Sequence, residues 1–155
     1  MEYQSNVENG KSAIDFFLND LGDANGATER RSKALWTLDL FEDDSDDKKL
    51  VFVPNLLLCC PPLQRDRDRA YLNIGRGSQK VTRKGSTNAD WVDIEICILR
   101  FKDVKTDLLI TLSMPHVEKK LDDGMVRGMW TEEYSSEFKQ ILEHFNIKDW
   151  SLFGY

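Results

Sequence analysis

The sequence is poor in the residues that most often carry chemistry. Among 155 residues it has two histidines and three cysteines. His116 and His144 each lack a second ligand at a spacing typical of zinc sites. Cys59, Cys60 and Cys97 show no metal spacing either, and their odd number favours reduced thiols in the cytosol or nucleus. The sequence therefore predicts neither a metal site nor a cofactor.

Long apolar runs are also missing. The longest apolar region, Leu50 to Leu63, contains three prolines and is too short to span a bilayer. The N-terminus lacks the basic and apolar regions of a signal peptide. A net charge of −6 argues against binding to nucleic acid or to an anionic membrane. The length and the hydrophobic share of 41% fit a soluble chain with a single domain over residues 1–155.

The clearest pattern that is present runs from Trp91 to Pro115. Apolar and polar residues alternate in two segments separated by a short polar turn, which predicts an antiparallel hairpin with one buried face. Asp93 and Glu95 fall on the other face of the first strand. Without a histidine, lysine or metal partner in view, they are expected to be exposed or to contact a basic partner rather than to perform acid–base chemistry.

Weaker patterns supply the remaining elements. A stripe of apolar residues predicts a helix that starts at Ser12 and ends near Gly22, and a second stripe predicts a helix from Thr131 to about Phe145. Strands are predicted over residues 35–41, 70–74 and 79–83, the last two joined by a turn at Gly75 to Ser78. Strands followed by a helix, with a helix before them, indicate an α+β fold in which helices pack on a sheet.

Charge is distributed unevenly along the chain. The acidic cluster from Asp39 to Asp47 is expected to be a solvated loop. The basic stretch from Arg65 to Lys84 is expected to be exposed hairpin surface, with a partner-binding patch as the alternative. Neither region, nor any other, contains the constellation of residues that catalysis requires.

Four segments resemble the Ran guanine nucleotide release factors, the Mog-type nuclear import proteins. They are the helix Ser12 to Leu18, the strands Ala70 to Gly75 and Gln79 to Val81, the hairpin Leu99 to Pro115, and the tail Ile147 to Gly154. The order of these segments carries the resemblance from about residue 2 to the C-terminus. It implies a Mog/PsbP-like α/β/α sandwich around a six-stranded, mainly antiparallel sheet. Within it, the hairpin from Trp91 is expected at the sheet centre, the two helices on the faces, and Trp150, Leu152 and Phe153 packed back onto the sheet.

The resemblance also implies a function. The chain would be a monomeric, non-catalytic regulator that binds the GTPase Ran, promotes release of its guanine nucleotide and supports protein import, in the nucleus and the cytoplasm. The family's N-terminal portion ends in V-P-D-N-Q-E-V-F/Y, and its two acids are associated with engaging Ran. Counting back from Ser12 places Glu2 on the second acid, and the chain is expected to be truncated before it and to act weakly on Ran.

The predicted partner-binding residues are therefore Glu2, Asp93 and Glu95. An alternative is an adaptor of the same fold that binds a different protein through the basic stretch and has no nucleotide-release activity. A small hydrolase or redox enzyme is a third possibility, which the scarcity of histidine and paired cysteine argues against.

Overall fold

A computed structural model describes residues 4, 6–39, 70–82, 84–101, 105–115, 119–120, 126–127, 135–145, 147–149 and 151. Its elements in chain order are helix α1 (Lys11–Asn25), strands β1 (Glu29–Asp39), β2 (Ala70–Thr82), β3 (Ala89–Phe101) and β4 (Thr106–Pro115), the short strands β5 (Lys119–Lys120) and β6 (Val126–Arg127), and helix α2 (Ser136–His144). The α+β class predicted from the sequence is confirmed. None of the helices in these described ranges is long and apolar enough to cross a membrane.

The main sheet has four strands in the order β1-β2-β3-β4, and neighbouring strands are antiparallel. The predicted hairpin is confirmed as β3 and β4, which pair from Val92 opposite Pro115 to Phe101 opposite Thr106. Its expected place at the sheet centre holds for β3, whereas β4 lies at the end of the order within the described residues. Strands β5 and β6 form a separate two-stranded sheet.

Strand β2 is continuous, and the turn predicted at Gly75 to Ser78 is wrong. The glycines serve another purpose there, because they let helix α1 approach the sheet closely. A Cβ atom at Gly75 would lie 2.6 Å from Ile14, and one at Gly77 would lie 2.7 Å from Leu18. Glycine is used where an element must approach a backbone this closely. Tertiary packing has therefore overridden the local preference of glycine for a turn.

Helix α1 covers one face of the sheet. Its buried residues pack on Ile94, Ile96 and Ile98 of β3, as the predicted apolar stripe requires. The helix begins at Lys11, close to the predicted Ser12, but it continues past Gly22 to Asn25. Gly26 then adopts the left-handed conformation with φ of 66° and ends the helix.

The opposite face of the sheet carries Leu72, Ile74, Cys97 and Leu99, all buried. Helix α2 begins against this face, because Ser135 at its N-cap bonds to Glu95. It starts five residues later than predicted from Thr131, and Thr131 itself lies outside the described residues, as do Trp150, Leu152 and Phe153 of the tail. The acidic cluster lies outside them as well, except Asp39 at the end of β1.

Candidate functional site

Asp93 and Glu95 are buried, so the exposure predicted for them is wrong. Their exposed fractions are 5% and 0%. The reason lies in strand β2, where Ser78 is directly opposite Asp93 and Arg76 is directly opposite Glu95. The Ser78 hydroxyl donates to Asp93 Oδ1 at 2.6 Å, and the Arg76 guanidinium donates to Glu95 Oε1. Because cross-strand neighbours satisfy them, the two carboxylates can be buried.

Glu95 also fixes the start of helix α2. The Ser135 backbone N–H donates to Glu95 Oε1 at 2.6 Å, and the Ser135 hydroxyl donates to the other carboxylate oxygen. The same hydroxyl accepts the Phe138 N–H at 3.2 Å, which makes Ser135 the N-cap of the helix. The geometry thus gives Glu95 an internal role, and direct contact of Asp93 or Glu95 with a partner stays a prediction.

Arg76 changes the interpretation of the basic stretch from Arg65 to Lys84. The Arg76 residue is 4% exposed, and its guanidinium is paired with Glu95. Lys80 pairs with Glu29 across the sheet at 3.0 Å. Residues 65–69 lie outside the described part of the chain. The exposed hairpin surface expected for this stretch is therefore contradicted at Arg76, because Arg76 belongs to a continuous strand and has Glu95 directly opposite it.

A second buried ion pair lies on the α1 side of the sheet, and it was missed in the sequence. Arg100 and Asp107 are cross-strand partners in β3 and β4, and both are fully buried. Arg100 Nε lies 2.9 Å from Asp107 Oδ1. Arg100 continues the alternation of Ile94, Ile96 and Ile98, so the period-two pattern already placed it on the buried face. Its place in this alternation was the feature of the sequence from which the burial of Arg100 could have been predicted.

This ion pair holds the segment that precedes helix α1. The Gln4 N–H donates to Asp107 Oδ2 at 2.8 Å, and the Gln4 carbonyl accepts from Arg100 Nη2 at 2.7 Å. Arg100 Nη1 also donates to the Val7 carbonyl at 2.6 Å. Val7 packs against the apolar core between α1 and the sheet. The backbone at residues 4 and 7 is thereby attached to the sheet near the end of the β3–β4 pairing, where Arg100 lies opposite Asp107.

Asn73 of β2 attaches the end of the same segment. It is fully buried, and its Oδ1 accepts the Gly10 N–H at 2.6 Å and the Thr37 hydroxyl at 3.1 Å. Its Nδ2 donates to Asn9 Oδ1 at 3.3 Å. We refer to Arg100, Asp107 and Asn73 together as the polar clamp. Glu2 lies outside the described residues, two positions before the clamped Gln4.

A shallow groove of about 240 Å³ lies between α1 and β1. Asp15 in this groove accepts hydrogen bonds from Lys11 and Ser32. Partial burial raises the pKa of Asp15, but these two hydrogen bonds outweigh it and leave the pKa below its usual value. The carboxylate is therefore held in its charged form and is not poised to exchange protons near neutral pH.

Catalytic or metal-binding chemistry finds no support in the described ranges. No group of three or more histidine, cysteine or acidic residues there could hold a metal ion. Burial raises the pKa of the Cys97 thiol far above its ordinary range, which makes it unreactive. His144 is exposed in the last turn of α2, with Nδ1 2.8 Å from the Gln140 carbonyl.

One comparison with known proteins gives a match. The family model described as "Ran-interacting Mog1 protein" matches residues 1–115. The matched residues include Glu2, helix α1, strands β1 to β4 and all three members of the polar clamp. A comparison with curated proteins gives no match, and neither does a comparison with solved structures.

Proposed function

The chain belongs to the Ran-interacting Mog1 protein family, and from this premise we propose that it binds Ran, promotes release of its guanine nucleotide and supports protein import into the nucleus. The observation that carries the proposal is the family match, which spans α1 and the whole four-stranded sheet. The chain would act as a regulator in the nucleus and the cytoplasm, with no covalent chemistry of its own.

Acidic contacts to a basic surface of the GTPase would supply the binding. The net charge of −6 favours association with such a surface and increases the rate of encounter. Glu2 is the leading candidate for a direct contact, because the resemblance aligns it with an acid of the family's N-terminal motif. Asp93 and Glu95 would contribute indirectly, since their carboxylates already have partners within the chain.

Nucleotide release would follow from a difference in affinity. A regulator that binds nucleotide-free Ran more tightly than nucleotide-bound Ran weakens nucleotide binding by the same factor, because the two equilibria are linked. This mechanism requires only a surface complementary to one state of the GTPase. It requires no catalytic residue.

The test measures release of a fluorescent guanine nucleotide from purified Ran. We expect the chain to accelerate release and Glu2→Gln to slow it. Loss of one partner of a close charged contact costs about 2–5 kcal/mol, which is about thirty-fold or more in affinity. Asp20→Asn, which removes a charge from the exposed side of α1, is the matched control and should leave the rate unchanged.

The outcomes separate the parts of the proposal. If the chain binds Ran in no nucleotide state, Ran is not its partner and the adaptor hypothesis is favoured. Binding without faster release would retain Ran as partner and contradict the release activity. Equal release by Glu2→Gln and the unmodified chain would exclude Glu2 as the contact and direct attention to the remaining acidic residues.

A further inference from the structure

We propose that Arg31, which lies over the ring of Trp91, contacts Ran directly and that its guanidinium binds a carboxylate of the GTPase. This inference rests on the proposed function and adds to it a contact of the opposite charge, since the contacts proposed above are made by acids. Trp91 is a positioning residue in this interface, because it acts through Arg31. Both residues lie within the range 1–115 that the family model matches.

Arg31 differs from the other arginines of the main sheet in the group that faces its charge. Arg30, Arg76 and Arg100 each form an ion pair with an acidic residue of the chain. Arg31 is exposed, and its Cζ lies 4.6 Å from the centroid of the Trp91 ring. Within the part of the chain that the structure describes, no carboxylate pairs with it. A guanidinium stacked on a ring still donates hydrogen bonds in its own plane, where its fork matches a carboxylate.

The position of Arg31 in the sheet places it on the same face as the predicted contact Asp93. Arg31 is directly opposite Ser78, which in turn is directly opposite Asp93. Trp91 precedes Asp93 by two residues in β3, so their side chains are on the same face of the strand. The structure buries Asp93, whereas Arg31 in the same row is exposed. A partner that covers this row therefore meets a cation before it meets the acid.

The charges around Arg31 indicate that its ligand is one acidic side chain of a protein. Lys80, directly opposite Trp91, pairs with Glu29 at 3.0 Å, so these two charges compensate each other and leave that of Arg31. The net charge of −6 repels extended polyanions such as nucleic acid or an anionic membrane. A single guanidinium is sufficient to bind one aspartate or glutamate side chain through two hydrogen bonds.

The stacking of Arg31 on Trp91 increases the affinity that this contact can provide. A long side chain loses conformational freedom when an interface fixes it, and the attraction between the guanidinium and the indole ring has already restricted Arg31. Arginine and tryptophan are also the residue types in which binding energy is most often concentrated. Truncation of such a residue weakens binding by about thirty-fold or more, and we expect a loss of this size from Arg31→Gln.

The test measures binding to purified Ran, in the nucleotide state that the unmodified chain binds most tightly, with Lys148→Gln as the matched control. Lys148 is exposed and lies outside the residues that the family model matches. Each substitution removes one positive charge and changes the net charge from −6 to −7. Through overall charge alone, both would strengthen association with a basic surface. We expect Lys148→Gln to bind at least as tightly as the unmodified chain, and Arg31→Gln about thirty-fold more weakly.

Kinetics and a double variant separate a direct contact from a change in stability. Loss of a short-range contact accelerates dissociation, so Arg31→Gln should leave Ran faster while its association rate equals that of Lys148→Gln. Arg31→Lys keeps the charge without the planar fork and should recover only part of the affinity. Trp91→Leu should weaken binding by itself and cause no further loss in the Arg31→Gln background. If Trp91→Leu fails to fold, Trp91→Phe replaces it, since phenylalanine keeps a weaker ring contact with the cation.

The outcomes distinguish this inference from the proposed function. If the unmodified chain binds Ran and Arg31→Gln binds it as tightly as Lys148→Gln does, Arg31 is not a contact. A loss confined to the association rate would overturn the contact as well. Losses from Trp91→Leu and Arg31→Gln that add in full would overturn the positioning role of Trp91. Failure of the unmodified chain to bind Ran would instead overturn the proposed function, and this inference with it.

Discussion

Replacing Gly75 with alanine tests the closest approach of helix α1 to the sheet. A Cβ atom at this position would lie 2.6 Å from both Cδ1 and Cγ2 of Ile14, and Ile14 is fully buried. Non-bonded carbon atoms normally stay about 3.5–4.0 Å apart. Ile14 cannot turn into solvent, so either its rotamer or the helix has to shift when alanine is introduced.

The size of the effect follows from two opposing contributions. Overpacking in a close-packed core costs about 1–3 kcal/mol. Alanine also lowers the conformational entropy of the unfolded chain, which stabilises the folded state by about 0.4–1 kcal/mol. Because two atoms of one rigid side chain are affected, we expect a net loss of about 1–2 kcal/mol in the free energy of unfolding. For a domain of this size, that lowers Tm by about 2–8 °C.

The assay is thermal and urea unfolding followed by circular dichroism. Ile14→Ala removes the atoms that the added Cβ of Gly75→Ala would meet, so Gly75→Ala should cause no further loss of stability in the Ile14→Ala background. Gly22→Ala is the control, because its Cβ would meet the side chain of Arg30 at 2.6 Å rather than a buried residue. Arg30 can move away, and alanine is favoured over glycine in a helix by about 0.8–1 kcal/mol. The Tm of Gly22→Ala should therefore stay constant or rise.

Two results would refute this reasoning. One is a Gly75→Ala variant that melts at the same temperature as the unmodified chain, which would mean that the helix is not held at this distance. The other is an equal loss in the presence and absence of the Ile14 side chain, which would place the cause in the strand rather than in the contact.

Two further predictions concern buried polar groups. Glu95→Gln removes the carboxylate charge that pairs with the buried Arg76 and should lower the free energy of unfolding by about 3–5 kcal/mol, measured in urea. Glu8→Gln at an exposed position should change it by less than about 0.5 kcal/mol, and equal stabilities of the two variants would contradict the importance of the pair. Burial raises the pKa of the Cys97 thiol above its ordinary 9.0, so at a pH above 9.0 the unfolded chain loses the thiol proton while the folded chain keeps it. The free energy of unfolding should therefore fall by about 1.4 kcal/mol per pH unit relative to Cys97→Ala. Parallel pH profiles of stability for the two chains would contradict the raised pKa.

The elements that could be predicted from the sequence are those with a sustained period. The hairpin of β3 and β4 and the apolar stripe of α1 follow directly from alternation and from helical spacing. The predicted C-terminal end of α1 was less accurate, because the left-handed residue that ends the helix is Gly26 and not Gly22. The sequence analysis named only Gly22, because the choice between two glycines four residues apart depends on how far the helix packs along the sheet.

The break predicted in β2 failed for a physical reason. Gly75 and Gly77 lie two residues apart and face α1 at the positions of Ile14 and Leu18. A local preference for turns cannot reveal a helix that lies above the strand. The resemblance to Mog-type proteins contributed what periodicity could not, namely the family and its partner.

The site was only partly predictable. Asp93 and Glu95 were correctly placed on the face opposite the isoleucines, but their exposure was misjudged because Arg76 was counted as part of a basic surface stretch. Strand register brings Arg76 and Glu95 together across 19 positions of sequence. Arg100 could have been recognised from its place in the alternation, whereas its contacts to Gln4 and Val7 depend on the three-dimensional path of the chain.

The two buried ion pairs also restrict the ways in which the sheet can misfold. From Ile96 to Leu99, strand β3 is apolar on both faces. A one-residue shift in strand register would therefore still bury apolar side chains there and would cost little hydrophobic free energy. Arg76 opposite Glu95 and Arg100 opposite Asp107 disfavour such a shift, because it would separate the opposite charges of each buried pair, at a cost of several kcal/mol. One pair controls the alignment of β3 with β2, and the other controls its alignment with β4. A shifted register between β3 and either neighbouring strand is therefore destabilised by electrostatics, although hydrophobic burial alone would not distinguish it from the native register.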